Sequence, residues 1–186
     1  MLEPVELLSG RLRLRQWLAA DLPAFAAMNA DPEVMRYFPS ALNRAESDAL
    51  AARWAELIAE RGWGFWAVEH RASAEFIGFV GLHQPVDLPF SPCVETGWRL
   101  ARHWWGQGLA TEAARAALHF GFSELGLPEI VAFTSLLNRR SQAVMIRLGM
   151  RNSGRNFHHP RLPAGHALAE HCLYRLARED WPKVGA

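Results

Sequence analysis

The stretch LARHWWGQGLATEAARAALHFGF, Leu100 to Phe122, places two glycines directly before an alanine-rich run. The residues ETGWRL before it favour a strand, and the run from Thr111 to Glu124 favours a helix. The N–H groups at a helix N-terminus attract negative groups, and Gly106 and Gly108 have no Cβ to keep a phosphate away. The junction is therefore a candidate phosphate-binding loop.

Two common phosphate loops fit this junction poorly. A Walker loop requires a Lys followed by Ser or Thr after its second glycine, and neither stands here. A dinucleotide-binding fingerprint requires a third glycine where Thr111 stands, within an early parallel strand-helix-strand unit. An isolated Gly-x-Gly can also be a turn that only caps a helix. The glycines alone leave both interpretations open.

Composition and charge indicate one globular domain over residues 1–186. Half of the residues are hydrophobic (50%) and 21% are charged, and a net charge of +1 gives no overall attraction for nucleic acid. The N-terminal segment lacks the order of a signal peptide, and no apolar run approaches the roughly 20 residues that span a bilayer. Cys93 and Cys172 do not suggest a disulfide framework. We predict a cytoplasmic protein that binds neither nucleic acid nor membrane.

Alternation and helical spacing predict a mixed α+β order of elements. Strands are expected at 11–17, 65–70, 75–83, 94–100, 129–136, 150–157 and 171–177. Helices are expected at 21–30, between Asn43 as N-cap and Gly62, at 111–124 and at 139–148. A further helix is expected to begin at Pro32, capped by Asp31.

The stretch WGQGLATEA resembles the acetyl-CoA pyrophosphate loop of the GNAT N-acetyltransferase superfamily, specifically of its ribosomal-protein-acetyltransferase-like branch. There the loop follows a strand similar to ETGWRL, and a later helix is similar to NRRSQAVMIRLGM, Asn138 to Met150. The opening RLRLRQW…D…NADPEVMRYF and the closing FHHPRLPAGHALAEHCLYRL are also similar to this branch. The resemblance covers nearly the whole chain and implies a single-domain GNAT fold, in which helices flank a central, mostly antiparallel, splayed mixed sheet.

The same resemblance implies the residues that hold acetyl-CoA. The loop pattern falls on Trp105, Gly106, Gln107, Gly108, Leu109 and Ala110, followed by Thr111 at the start of the helix. The family usually has Arg or Gln where Trp105 stands. The pantetheine arm is expected against the backbone of Trp98, Arg99 and Leu100 and against Asn138 and Ser141. Asn138 is equally a good helix N-cap, and both roles are compatible.

Acetyl transfer to an amine requires a base, because the amine is protonated in water with a pKa of about 10. Glu95 is the candidate base, although it could instead face solvent or pair with Arg99 or Arg102. The departing thiolate gains from an acid. Ser141, which matches the family's Asn-x-x-Ser, and Tyr174 are the two candidates, but a serine here could only cap the helix and a strand tyrosine could be purely structural.

Two other chemistries are less well supported by the sequence. Cys93 could form a covalent acyl-enzyme, but no nearby histidine pattern indicates an activated thiol, so direct transfer is favoured. The segment NFHHPRLPAGHALAEHC, 156–172, is rich in histidine but matches no zinc template, and we predict no metal. Its histidines, and the aromatic Trp54, Trp63 and Trp66, are expected near the acceptor groove or in the core.

The sequence thus predicts an acetyl-CoA-dependent N-acetyltransferase that moves an acetyl group directly to a primary amine, on a small molecule or a peptide N-terminus. The alternative is a non-catalytic acyl-CoA-binding or regulatory module, which would not need Glu95 or Ser141. Fold analogy alone also allows a homodimer.

Overall fold

The computed structural model describes residues 3–183, with side chains as far as Trp181, and its strands and helices occur in groups along the chain. The strands are β1 Leu7–Leu8, β2 Leu12–Arg15, β3 Phe65–His70, β4 Glu75–His83, β5 Glu95–Leu100, β6 Glu129–Ser135, β7 Arg151–Asn152, β8 Phe157–His158 and β9 Glu170–Ala177. The helices are α1 Leu22–Ala30, α2 Arg44–Arg61, α3 Leu109–Ser123 and α4 Arg139–Arg147, with 3-10 turns at Ala19–Asp21, Arg102–Trp104 and Arg178–Lys183. Within this part of the chain, no helix is both long and apolar enough to cross a bilayer.

The strands form one sheet in the order β1-β2-β3-β4-β5-β6-β9-β7, and β8 pairs with the other end of β9. The neighbours are antiparallel except β5 and β6, which are parallel. These two strands pair only at Glu95 and Val131, where the Val131 N–H donates to the Val94 carbonyl at 2.9 Å. Beyond this point they diverge and leave a wedge. The predicted α+β class and the splayed, mostly antiparallel sheet are confirmed.

The helices cover the two faces of this sheet in separate layers. Phe25 of α1 and Trp54 of α2 pack on Phe79 of β4, with ring centroids 6.2 and 4.2 Å apart. On the other face, Trp66 of β3 packs edge-on against Phe120 of α3 at 5.7 Å. Because successive strand residues point to opposite faces, neighbouring positions of β5 face different layers.

The helix ends follow local capping chemistry. Asn43 accepts the N–H of Glu46 and donates its own N–H to the Glu46 carboxylate, and Gly62 ends α2 with φ of 83°. Both signals were predicted. Helix α3 begins at Leu109, two residues before the predicted start, because Gly108 is the last non-helical residue, with φ of 76°.

The predicted helix at Pro32 is wrong. Asp31 accepts the Glu33 N–H with its side chain at 2.8 Å and the Met35 N–H with its carbonyl at 2.9 Å, which closes turns rather than a helix. Pro39 also disfavours a helical conformation for Phe38 before it. The segment 31–43 therefore crosses the α1–α2 layer as a loop with buried apolar side chains.

The predicted strand at 150–157 is divided in two. Only Arg151–Asn152 and Phe157–His158 pair with β9. Between them the Asn152 side chain accepts the Gly154 N–H at 2.9 Å, and Gly154 has φ of 69°, so the chain turns. The prediction of one continuous strand is wrong, while the strand at 171–177 is confirmed with one added residue.

Candidate functional site

A cavity of about 1290 Å³ lies where β5 leaves β6. Its walls come from the loop 33–42, from β5, from the glycine loop and the start of α3, from α4 and from residues 159–162. The cavity therefore joins the splayed edge of the sheet to the layer that contains α1 and α2.

One edge of β5 is free inside this wedge. The carbonyl of Val94 reaches β6, and that of Leu100 accepts the indole N–H of Trp105 at 2.8 Å. Because hydrogen-bonding directions alternate along a strand, the main-chain groups of Thr96 and Trp98 point to the same side. An extended polar ligand can pair with this edge as an added strand would.

The glycine loop presents main-chain groups to the other end of the cavity. Gly106 and Gly108 have φ of 75° and 76°, in the left-handed region that favours glycine. A Cβ on Gly106 would meet no atom within 4 Å, so the space beside it is open. The guanidinium of Arg140 lies 4.7 Å from the ring centroid of Trp105 and adds a positive charge. This arrangement suits a phosphate group.

The structure brings most of the predicted cofactor-binding residues together. Those that line the cavity are Trp98, Arg99, Leu100, Trp105, Gly106, Gly108, Leu109, Ala110, Thr111, Asn138 and Ser141. Gln107 is turned away, because its side chain donates to the His103 carbonyl at 3.3 Å and its own carbonyl accepts from Arg11 at 3.0 Å.

Asn138 caps α4 with its whole side chain. Its amide oxygen accepts the Ser141 N–H at 3.2 Å, and its amide nitrogen donates to the hydroxyls of Thr134 and Ser141, both at 3.0 Å. The Ser141 hydroxyl accepts this bond and keeps its own hydrogen free to donate toward the cavity.

Three buried polar side-chain atoms lack a hydrogen-bond partner in the described part of the chain, namely Thr96 Oγ1, Arg99 Nε and Trp104 Nε1. All three residues line the cavity. An unpaired buried donor or acceptor costs about 1–3 kcal/mol. These unpaired atoms indicate that the cavity receives a ligand with polar groups.

Glu95 lies where β5 and β6 part, and it faces the layer of α1 and α2. Burial raises the pKa of its carboxyl to about 8, and the charge of Arg161 offsets part of this rise. Glu95 forms no ion pair with Arg99 or Arg102 within residues 3–183. A carboxyl with this pKa exchanges a proton near neutral pH, as a general base does.

The family is decided by comparison with known proteins. The family model described as an acetyltransferase (GNAT) domain matches residues 11–151. The chain belongs to the GNAT acetyltransferase family. The predicted family is thereby confirmed, and at the level of that family the protein is an N-acetyltransferase.

Relatives and solved structures agree with this assignment. The FsC-acetyl coenzyme A-N(2)-transacetylase of Aspergillus fumigatus is 30% identical over 164 residues, which cover 84% of this chain and 69% of the relative. A GNAT-family acetyltransferase from Bacillus anthracis superposes with a TM-score of 0.79 at 24% identity, covering 94% of this chain and 99% of that one. The ribosomal-protein-S5-alanine acetyltransferase of Vibrio fischeri superposes with a TM-score of 0.74 at 18% identity, covering 95% of this chain and 98% of that one. These two structural likenesses show the GNAT fold.

The GNAT wedge also contains a histidine that the sequence analysis did not select. His83 is the cross-strand partner of Glu95, and its ring stacks on Phe65 with centroids 5.5 Å apart. Burial lowers the pKa of His83 to about 4, with Arg61 and Arg161 adding to the effect, so its imidazole is neutral at pH 7. The register of β4 against β5 places it there, and the intervening proline-rich loop hides this pairing in the sequence.

Tyr174 does not reach the GNAT cavity. It pairs with Ala132 of β6 and Asn152 of β7, and it is buried in the core on the face opposite His171, which does line the cavity. The structure therefore separates Tyr174 from Glu95, and Ser141 remains as the candidate acid at the wedge.

Cys93 is a poor nucleophile in this GNAT domain. Burial raises the pKa of its thiol, and the nearby Glu95 raises it further, so the thiolate is scarce at neutral pH. Of the three tryptophans expected near the groove, Trp54 lines the cavity, whereas Trp66 packs on the α3 face and Trp63 packs against the core. No group of three metal-ligating side chains occurs among residues 3–183.

Proposed function

We propose that this GNAT protein transfers the acetyl group of acetyl-CoA directly to a primary amine. The observation that carries the proposal is the single wedge, with a phosphate-binding loop at one end and Glu95 at the other. The name of the Aspergillus relative gives acetyl coenzyme A as that protein's donor, which supports the same donor here. When bound, acetyl-CoA supplies an activated acetyl group that exchanges its bond to sulfur for a bond to the amine nitrogen.

The chain's residues divide the binding between them. The N–H groups of the glycine loop and of the first turn of α3 hold the pyrophosphate, with Arg140 beside them. The main chain of Trp98, beyond the pairing of β5 with β6 at Glu95, pairs with the pantetheine arm. Asn138 acts mainly by fixing the start of α4, since its amide hydrogens are already donated to Thr134 and Ser141.

Two side chains move or stabilise protons at the reacting end. Glu95 takes the proton that the attacking amine loses, because its raised pKa brings it closer to the pKa of the amine. Ser141 donates a hydrogen bond from its free hydroxyl hydrogen to the departing sulfur, which leaves as a thiolate and takes its proton from solvent. His83, neutral and stacked on Phe65, closes the apolar wall beside the carboxyl.

The test is the release of coenzyme A thiol from acetyl-CoA across a panel of free amino acids, polyamines, aminoglycosides and peptides, including N-terminal alanine. Glu95→Gln keeps the shape of the side chain and removes the base. We expect kcat to fall by about 10²–10⁴-fold, the usual contribution of a general base. The matched control is Glu60→Gln, which changes an exposed carboxylate on α2.

Three outcomes separate the alternatives. Thiol release that collapses in Glu95→Gln, with acetyl-CoA binding retained, supports the transferase. Saturable acetyl-CoA binding without release on any acceptor favours the non-catalytic acyl-CoA-binding module. A protein that fails to bind acetyl-CoA contradicts the assignment of the glycine loop.

A further inference from the structure

The side chain of Arg99 has an environment that its predicted backbone role does not explain. It is only 9% exposed and extends from β5 toward α1, where Nη1 donates to the Asn29 side chain at 2.7 Å. Its guanidinium lies 4.0 Å from the ring centroid of Phe38 and 5.3 Å from that of Phe79. These contacts hold the guanidinium in place between the Asn29 hydrogen bond and two aromatic rings.

One edge of this guanidinium has no partner. Nε is buried and makes no hydrogen bond, and Nη2 makes none in the described part of the chain. The Nε–H and Nη2–H bonds are parallel and lie in one plane, a fork that matches the two oxygens of a carboxylate. Arg99 lines the cavity, so a carboxylate that enters it can meet this free edge.

The charge of Arg99 is also unbalanced within residues 3–183. Burial lowers the pKa of the guanidinium to about 10, so it is still charged at pH 7. Arg36 lies 3.9 Å from Glu33 and Arg161 lies 3.8 Å from Asp87, whereas Arg99 has no carboxylate partner. An unpaired buried charge destabilises the fold, and a bound anion would offset this effect.

Arg99 and Glu95 lie on the same face of β5, four positions apart. Their Cα atoms are therefore separated by about 13 Å along the strand. Between them Gly97 has no side chain, and the ring of Phe65 occupies that place, since a Cβ on Gly97 would lie 3.0 Å from it. An acceptor that lies along β5 meets Glu95 at one end, an apolar ring in the middle and a cation at the other end.

We propose that the acceptor is an amine that also carries a carboxylate, and that Arg99 binds this carboxylate through Nε and Nη2 while Glu95 faces the amine. The inference rests on the proposed acetyltransferase function and narrows its substrate class. It favours amino acids in which an apolar spacer separates the amine from the carboxylate over polyamines and aminoglycosides, because a second ammonium group would lie beside the buried Arg99 cation.

The experiment takes a series of amino acids with a growing apolar spacer between amine and carboxylate, and compares each with its own amide, which keeps the amine and replaces the carboxylate. Rates are expressed per unprotonated amine, because the two amines differ in pKa. In the wild type we expect kcat/KM to favour the carboxylate by about 100-fold, the size of a charge-assisted bidentate contact. In Arg99→Gln we expect kcat/KM for the amino acid to fall to the value for its amide. The value of kcat/KM for the amide should itself change by less than about threefold. The matched control is Arg44→Gln, which also removes one positive charge, but at an exposed ion pair with Asp48. We expect it to leave the ratio of kcat/KM for amino acid and amide unchanged.

The comparison of amino acids with their amides in the wild-type protein tests the inference even if Arg99→Gln folds poorly. Equal rates for amino acids and amides, an equal loss of both in a folded Arg99→Gln protein, or weaker acetyl-CoA binding in that protein would each overturn the inference. Thiol release with polyamines but not with amino acids overturns it and leaves the proposed function intact. Absence of release with every acceptor overturns both.

Discussion

The two ends of the cavity are built from different parts of the polypeptide. The proposed phosphate end consists of main-chain groups from one continuous stretch, Trp105 to Thr111, with Arg140 beside it. The proposed acceptor end consists of side chains from α1, the following loop, the β3–β4 hairpin and β5. Asn29 and Arg99, which share a hydrogen bond, are 70 residues apart in sequence.

This difference explains what a sequence can reveal. A loop that needs positive φ at two positions requires glycine there, so the requirement is visible as Gly106 and Gly108. A pocket of side chains has no such local signature, because arginine, asparagine and phenylalanine are common anywhere in a core or at its border. The comparison predicts that changes at the phosphate end act on acetyl-CoA affinity, whereas changes at the acceptor end act on turnover and specificity.

The largest expected effect beyond the two experiments above is at the loop. Gly106→Ala and Gly108→Ala force an L-residue into the left-handed region, at about 1–2 kcal/mol each, and place a methyl group where the phosphate is expected. We expect the Kd for acetyl-CoA to rise by about 10–100-fold with little change in kcat at saturation.

Gly154→Ala is the matched control for the loop variants, because Gly154 has φ of 69° and open space around it and does not line the cavity. It imposes the same kind of backbone strain without touching the proposed site. Calorimetric titration with acetyl-CoA measures all three. If Gly154→Ala lost as much affinity for acetyl-CoA as the loop variants, their weaker binding would be due to general destabilisation of the fold.

A second prediction concerns pH at the acceptor end. Glu95 accepts a proton only when it is ionised, and its pKa is raised to about 8, so kcat/KM should rise about tenfold per pH unit below 8 and level off above it. The profile is measured with an acceptor whose amine pKa is known, so that its own ionisation can be subtracted. A profile that keeps the same inflection in Glu95→Gln would show that another group titrates.

The smallest expected effect is at Ser141, between the two ends. Ser141→Ala removes one hydrogen-bond donor near the departing sulfur, and we expect kcat to fall by about 3–10-fold, with acetyl-CoA affinity nearly unchanged. Ser123→Ala, which removes an exposed hydroxyl at the end of α3, is the control. A loss of affinity larger than the loss of kcat would give Ser141 a binding role instead.

Much of the fold was predictable because its signals are local. The β3 and β4 bounds match the prediction, since a short polar link between two apolar runs is sufficient to define a hairpin. The predicted helix at Pro32 was wrong because the Asp31 turn and the proline after Phe38 outweigh a favourable first helical position. Tyr174, one of the two candidate acids, lies outside the cavity. The face to which a strand residue points is known only once its neighbouring strands are known.

The candidate site was predictable to a smaller extent. The glycine loop, Glu95 and Ser141 do meet at one cavity, although their roles stay predictions. His83 and the side chain of Arg99 were missed, because one depends on the register of two strands and the other on a loop that folds over it. Both depend on long-range packing that no single segment of the chain encodes.

The single pairing of Glu95 with Val131 also has a consequence for how the molecule unfolds. The sheet therefore consists of two parts, β1–β5 and β6–β9, which are joined by one parallel pairing and by the connecting helix α3. A molecule that spans the wedge adds cross-strand hydrogen bonds between these two parts of the sheet. The two parts are then expected to unfold together in one cooperative transition. A bound donor would therefore stabilise the folded state. We expect the free energy of unfolding to rise with the logarithm of the donor concentration once this exceeds the Kd.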